Sequence, residues 1–203
     1  MRVLVEEAIR RFQEGEILIL VDDAAREDEG DFAVAADRAS AESINFMITH
    51  GRGLVCVPIT EQRARALQLV PMCPEVKDIG ETRFTISVDA RDGIATGIST
   101  HDRAETIRLL ACASAKPEQL KRPGHVFPLI ARDGGVLERA GHTEASVDLA
   151  CMAGLTPAAV LCEILNEDGT MARGAKLEAV AKRHGLGILH IADLIDARRR
   201  TAR

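Results

Sequence analysis

The chain has 203 residues, of which 46% are apolar and 28% charged, and its formal net charge is -5. This is the profile of a folded globular protein, long enough to bury roughly 70% of its unfolded surface, and it excludes a disordered or collagen-like chain. The acidic balance, with no Trp, no Tyr and five Phe, argues against a nucleic-acid partner, which calls for a basic surface and aromatic platforms. No run approaches the ~18 to 20 apolar residues of a membrane span, so no membrane partner is expected. Cys56, Cys73, Cys112, Cys151 and Cys162 are scattered and include no C-x-x-C pair, as in a reducing compartment. Met1-Arg2 leads straight into a charged helical pattern without the apolar region of a signal peptide. A soluble cytoplasmic protein is the expectation. The basic run Arg198, Arg199, Arg200 and Arg203 reads as a solvated helix end that complements the macrodipole.

Val5, Ala8, Ile9 and Phe12 recur at helical spacing and stop at Gly15, predicting an amphipathic helix. Ile17 to Val21 is a continuous apolar run closed by Asp22-Asp23 and reads as a buried strand. Ser40 is placed to cap a helix through His50 with Ile44, Met47 and Ile48 inward, ended by Gly51. Leu54 to Ile59 is the next strand, Thr60 caps a short helix, and Pro71 and Pro74 mark an irregular loop. Phe84, Ile86 and Val88 alternate with polar residues as in a half-buried strand. Ser99 or Thr100 caps a helix carrying Ile107, Leu110 and Ala111. Val126 to Ala131 reads as strand, Thr143 to Ala153 as helix, Ala158 to Leu165 as strand, and Ala175 to His184 as helix. A short strand at Ile188 to His190 and a last helix finish the chain. The strands follow no regular βαβ period, so one α+β domain over residues 1–203, a mixed sheet flanked by helices, is favoured over a doubly wound sheet.

Two polar clusters fall between these elements. Arg26-Glu27-Asp28-Glu29-Gly30-Asp31 places four carboxylates within five residues directly after a buried strand. Their repulsion is relieved either by solvent or by a hard cation such as Mg²⁺, which takes one or two carboxylates and keeps several waters. Arg139-Ala140-Gly141-His142-Thr143-Glu144 leads into a helix. With Thr143 at the cap, free amides of the first turn and Arg139 would suit a phosphate, and His142 just outside could bind a metal, although an ordinary capped helix explains the same residues. His142-Thr143-Glu144 also matches the H-x-E of zinc deaminases, but Cys151 and Cys162 lack the downstream P-C-x-x-C spacing. His125 opens a strand between two prolines, where a structural role is the simpler reading. Glu163 lies in an apolar run, where a carboxylate must be paired or shifted in pKa. Thr96, Gly97 and Ser99 offer either a second phosphate-type helix start or a plain cap.

Taken together, REDEGD at Arg26 to Asp31, INFMITHGRGLVCVPIT at Ile44 to Thr60, GIATGIST with HDR at Gly93 to Arg103, RPGHVFPL at Arg122 to Leu129, RAGHTEASVDL at Arg139 to Leu149 and LCEILNEDGTMAR at Leu161 to Arg173 resemble the 3,4-dihydroxy-2-butanone 4-phosphate synthases of riboflavin biosynthesis. The resemblance implies an α+β homodimer with sites near the subunit interface. It also implies a Mg²⁺- or Mn²⁺-dependent lyase that converts D-ribulose 5-phosphate to L-3,4-dihydroxy-2-butanone 4-phosphate and formate. By the same resemblance Glu27 and His142 ligate the metal, with Glu29 placing a second ion or ordering the loop. Arg26, Asp31, Arg139, Ala140, Gly141, His142 and Thr143 hold the sugar phosphate, and Glu27 and Glu163 also touch it. His125 and Glu163 move protons, Asp31 and Cys56 join the catalytic group, and Thr96 and Ser99 assist at the phosphate. The sequence differs from the family pattern at Ala24-Ala25, where acidic residues are usual, at Asp28, where Asn is usual, and over Met72 to Glu81. Some family chains continue into a cyclohydrolase domain, and a monofunctional form is expected here.

Overall fold

A computed structural model of the chain describes residues 1–73 and 81–201. In chain order the regular elements are α1 (Val5–Gln13), β1 (Leu18–Val21), β2 (Gly30–Ala35), α2 (Ala41–His50), β3 (Cys56–Ile59), α3 (Glu61–Ala66), β4 (Val88–Ala90), α4 (Thr100–Ala111), β5 (Leu120–Ile130), α5 (His142–Met152), β6 (Ala159–Glu163), α6 (Ala175–His184), β7 (Gly187–His190) and α7 (Ile191–Thr201). The strands form one sheet in the order β4-β5-β3-β6-β2-β1-β7. β3 with β5 and β1 with β7 run parallel; the other neighbours run antiparallel. This is the α+β architecture with a mixed, helix-flanked sheet that the strand spacing predicts.

Local chemistry accounts for most boundaries. α1 buries Val5, Ala8 and Phe12, with Glu6 and Glu7 in its first turn and Arg10 and Arg11 in its last, the charge order that suits the helix dipole. The expected caps form: Ser40 and Ser43 make a reciprocal capping box at α2, Thr60 accepts from the Arg63 amide at 3.1 Å, and Ser99 accepts from the Asp102 amide at 3.0 Å. Each such cap stabilises its helix by about 1 kcal/mol.

Period-2 alternation divides the core into two layers. Ile19, Val21, Phe32 and Val34 point to the side covered by α2, α3, α4 and α6. Leu18, Leu20, Ala33 and Ala35 point to the side covered by α1, α5 and α7. Phe12 and Phe32 are fully buried, one in each layer, and truncating either to Ala would cost about 3–5 kcal/mol. A side chain at Gly30 would place its Cβ 2.7 Å from the Leu177 methyls, so the start of β2 is also where α6 seats.

Several boundaries differ from the sequence pattern. Gly30–Ala35, to which the pattern assigns no element, is a central strand buried at every position. With both faces covered it shows no alternation, the usual fate of a strand inside a two-layered core. The strand expected through Phe84, Ile86 and Val88 is reduced to isolated bridges, Phe84 to Leu129 and Pro71 to Thr85, followed by β4 with a register shift at Val88/Asp89. β5 begins at Leu120, well before Val126, and contains the cis Arg122-Pro123 bond. α5 is capped by Gly141, not Thr143, and His142 is its first helical residue. Pro74 and most of Met72 to Glu81 lie outside the described residues. All five cysteines are free, and among the described residues no helix is long and apolar enough to cross a membrane.

Candidate active site

A cavity of about 350 Å³ opens between the β1–β2 turn and the start of α5. Arg26, Glu27, Glu29 and Asp31 line it from the turn, and Arg139, His142 and Thr143 from the helix start. Cys56 and Glu163 form part of the floor, and Thr82, Phe84, Leu129 and Leu161 complete the wall.

The turn is held by a residue that the sequence marks only as a strand terminator. The side chain of Asp22 is fully buried at the end of β1. Its Oδ1 accepts from the Glu29 amide at 2.8 Å, and its Oδ2 accepts from the Glu27 amide at 3.2 Å and from Arg26 Nη1 at 2.7 Å. The same Arg26 nitrogen donates to Glu27 at 2.7 Å. Arg173 spans the far side, donating to the Glu27 carbonyl at 3.1 Å and to Glu29 at 2.8 Å. Two arginines therefore offset the crowded carboxylates. Burial raises the Glu29 carboxyl above its ordinary range, opposed by Arg173.

The helix start is built from buried groups. Arg139 donates to Glu144 at 2.7 Å and to Thr82 at 2.8 Å, and Glu144 also accepts from the Arg132 amide at 3.0 Å. Arg139 and Glu144 are 7% and 2% exposed, so their ion pair is shielded from solvent and costly to break. Behind them Asp148 accepts from the Val136 amide and from Arg198, fixing the preceding turn to α7. Gly141 leaves room for the Arg139 guanidinium, since a Cβ there would lie 2.3 Å from its Nη1 and force it to shift. Ala140 is exposed on the connecting turn. The first-turn amides of α5 have no partner within the helix, so this end favours an anion although no side chain caps it.

On the sheet, Asp31 and Glu163 are register partners across β2 and β6. Two carboxylates directly opposite each other repel. Burial, reinforced by Glu163, Glu27 and Glu29, pushes the Asp31 carboxyl up to about 6, while His142 opposes the rise. Glu163 Oε2 is fixed by the Leu54 amide at 2.8 Å; Gly53 makes room for it, since a Cβ there would meet Oε2 at 2.4 Å. Burial, with help from the Glu163 and Asp31 charges, raises the Cys56 thiol far above the thiolate range, so Cys56 faces the cavity as a neutral thiol.

His125, Thr96 and Ser99 are not among the lining residues. His125 Nδ1 lies 2.8 Å from Asp89, whose other oxygen accepts the His125 amide at 2.8 Å. Gly97 packs against this pair: a Cβ there would fall 2.3 Å from Asp89 and 2.7 Å from the His125 ring. Ser99 is engaged as the α4 cap and Thr96 is exposed. One chain thus assembles most of the sequence-predicted site and leaves a His–Asp pair beside it.

The fit to a cation rests on His142. The imidazole is 6% exposed, and its Nε2 is buried without a hydrogen-bond partner among the described residues. Ligand atoms of Asp22, Glu27 and His142 lie within 4.8 Å of one another, the one group of three or more such donors among the described residues. A buried orphan nitrogen beside carboxylates is the donor set of a hard or borderline divalent ion. A larger cleft of about 540 Å³ between α2 and α6, near the tilted ring contacts of Phe46, His50 and His184, offers no comparable group among the described residues. Sequence reasoning missed Asp22, Asp89, Glu144 and Arg173 as supports. Asp22 and Arg173 lie within or beside quoted motifs, but they act largely through backbone groups and, for Arg173, through a carboxylate far away in the chain.

Fold and cavity define a class: a mixed-sheet α+β protein whose polar pocket suits a divalent cation together with a small anionic ligand. The chain belongs to the 3,4-dihydroxy-2-butanone 4-phosphate synthase family, which it matches over residues 6–197. It is 55% identical over 198 residues to a riboflavin biosynthesis protein RibBA of Aquifex aeolicus, covering 97% of this chain and 49% of that one. With the RibBA of Bacillus cytotoxicus it shares 53% identity over 195 residues, 96% of this chain and 49% of the relative. The chain therefore spans about half the length of the curated relatives it matches. A crystal structure of a 3,4-dihydroxy-2-butanone 4-phosphate synthase in complex with two magnesium ions superposes with a TM-score of 0.93 at 40% identity, covering 98% of both chains.

Proposed function

We propose that this chain is a lyase of riboflavin biosynthesis that converts D-ribulose 5-phosphate to L-3,4-dihydroxy-2-butanone 4-phosphate and formate with Mg²⁺ or Mn²⁺. The observation that carries the reading is buried His142, whose Nε2 has no hydrogen-bond partner among the described residues and which offers a ring nitrogen within 4.8 Å of Glu27, in a cavity that also holds Arg139 and an uncapped helix start. Glu27 and His142 would hold the ion, with Glu29 available to a second ion or to the loop. When bound, the ion would polarise the sugar's oxygens and stabilise negative charge developing on them.

The protein's own groups divide the remaining work. Arg26, Arg139 and the first-turn amides at Gly141, His142 and Thr143 bind and orient the phosphate. Asp31, poised near neutrality by its surroundings, is suited to accept and return a proton. Glu163, anchored through one oxygen by Leu54, keeps its geometry while the other oxygen exchanges a proton with the substrate. Cys56 supplies a neutral wall.

The same reading takes residues 1–203 as one synthase domain working in the cytoplasm as a homodimer, in keeping with the free cysteines. The His125–Asp89 pair is 43% exposed on its imidazole side, and Leu54, Ile86 and Ile98, from segments that adjoin it, are exposed at 41%, 37% and 54%. A second copy covering this rim would bury the apolar residues and bring His125, Thr96 and Ser99 to a shared site. Sedimentation of the purified protein is expected to give a dimer.

The decisive assay incubates purified protein with ribulose 5-phosphate and Mg²⁺ and measures formate. Formate equal to the four-carbon product, abolished by EDTA, supports the reading. Consumption of substrate without formate points to an isomerase or aldolase, and binding without turnover points to a sugar-phosphate-binding protein; either result overturns it.

A further inference from the structure

We infer that Asp22 is the positioning residue of the acidic turn: its buried carboxylate folds residues 22–29 back on themselves so that Glu27 faces His142, and it does so without serving as a metal ligand. The inference rests on the proposed metal site and names the group that builds half of it.

Asp22 follows the last residue of β1, and β2 begins at Gly30. Between them the chain must reverse while carrying four acidic side chains, Asp23, Glu27, Asp28 and Glu29, that repel one another. Backbone pairing gives the reversal few fixed points: the Asp22 amide bonds the Glu29 carbonyl at 3.3 Å, and the Arg26 and Asp28 amides reach the Asp23 carbonyl. The Asp22 side chain adds two more, accepting the amides five and seven residues ahead. Those amides belong to Glu27 and Glu29, which flank Asp28, a residue held at φ 55°. A non-glycine residue in the left-handed region is sparsely populated unless its neighbours are fixed on both sides, as they are here.

The hydrogen-bond inventory separates positioning from ligation. A carboxylate has about four lone-pair sites. Oδ2 of Asp22 already receives the Glu27 amide and the Arg26 guanidinium, and Oδ1 receives the Glu29 amide. For Oδ2 to reach an ion it would have to release Arg26 or Glu27. Glu27 is different: its side chain is about half exposed and its carboxylate is held by Arg26 alone among the described residues. Although Asp22 lies within ligand distance of the other two donors, three of its roughly four acceptor sites, including both on Oδ2, are committed to the turn, whereas Glu27 has only Arg26 to release among the described residues.

The first test uses the metal-free wild-type protein, where amide exchange is followed residue by residue by NMR. The Glu27 and Glu29 amides are expected to exchange at least tenfold more slowly than the exposed Ala24 amide. Equal exchange overturns the inference whatever the protein binds. The second compares Asp22→Asn and Asp22→Ser with Glu27→Gln by Mn²⁺ titration using EPR. Changing an outer partner of a ligand typically lowers metal affinity 10–100-fold, and that is the expected loss for both Asp22 variants. Their Glu27 and Glu29 amides should lose protection. Glu27→Gln should lose more affinity while keeping that protection. Unchanged affinity in a folded Asp22 variant, or loss of Mn²⁺ with undisturbed amides, would overturn positioning in favour of no role or of direct ligation. If both Asp22 variants fail to fold, the wild-type exchange measurement still decides the matter. Absence of Mn²⁺ binding in the wild type counts against the proposed function and leaves the exchange result standing on its own.

Discussion

The two halves of the cavity are built on opposite terms. The α5 start is a buried lattice in which Arg139, Glu144, Thr82 and Asp148 are fixed by charged or backbone partners. The acidic turn is pinned at its root by Asp22 but reaches solvent elsewhere, with Glu27 about half exposed and Arg173 48% exposed. Buried pairs hold geometry and resist salt, whereas exposed ones contribute little and are screened. The helix start is therefore the fixed jaw of the site, and the turn is the jaw whose position depends on ions and ionic strength.

The most severe way to break this contrast is to remove one donor from each jaw. His142→Ala and Glu27→Gln are each expected to abolish formate release, a loss of at least about 10³-fold on the scale of catalytic-group deletions, while circular dichroism shows an intact fold. Near-normal turnover in either variant would refute the assignment of the two donors.

Next in size is Glu144→Gln, which breaks the buried ion pair that Glu144 makes with Arg139 at 2.7 Å. Thermal or urea unfolding should show a loss of about 3–5 kcal/mol. Arg173→Ala, at the exposed jaw, should cost less than about 1 kcal/mol in stability. Its effect should lie instead in metal affinity and shrink at high salt. Equal stability losses in the two variants would erase the distinction between jaws.

A pH test sharpens the comparison at the sheet. The folded state holds the Asp31 proton more tightly than the unfolded chain, with the value raised from 3.8 to about 6. The cost of ionising Asp31 in the fold is therefore absent below about 3.8, grows as pH rises through the window, and is constant above about 6. At about 1.4 kcal/mol per unit this amounts to at most about 3 kcal/mol at neutral pH. Asp31→Asn should accordingly stabilise the metal-free protein at pH 7 and not at pH 4. A variant equally stable relative to wild type at both values would contradict this origin of the shift. Outside both jaws, Ser40→Ala should cost about 1 kcal/mol of stability from the lost α2 cap and leave catalysis untouched.

Helices whose signals are local were legible in the sequence: Ser40, Thr60 and Ser99 cap where the pattern places them because a hydroxyl and an amide three residues on need no distant partner. β2 was not legible, since alternation vanishes when both faces of a strand are covered. The cap of α5 was misplaced by two residues because Gly141 is selected by the approach of Arg139 and not by side-chain capping. Of the site, the motif residues Arg26, Glu27, Asp31, Arg139, His142, Thr143 and Glu163 do converge. Asp22 and Arg173 escaped notice because their value lies in which amide or carboxylate the folded turn presents to them, a relation absent from spacing.

The pairing of Asp31 with Glu163 also bears on how the chain avoids misfolding. Because strand side chains alternate, sliding β2 by one residue against β6 would carry its aspartate to the opposite, hydrocarbon-rich layer and draw Phe32 out of it. A mis-threaded sheet would thus be penalised at the pair proposed above for proton transfer, so the same two carboxylates would also mark correct strand alignment.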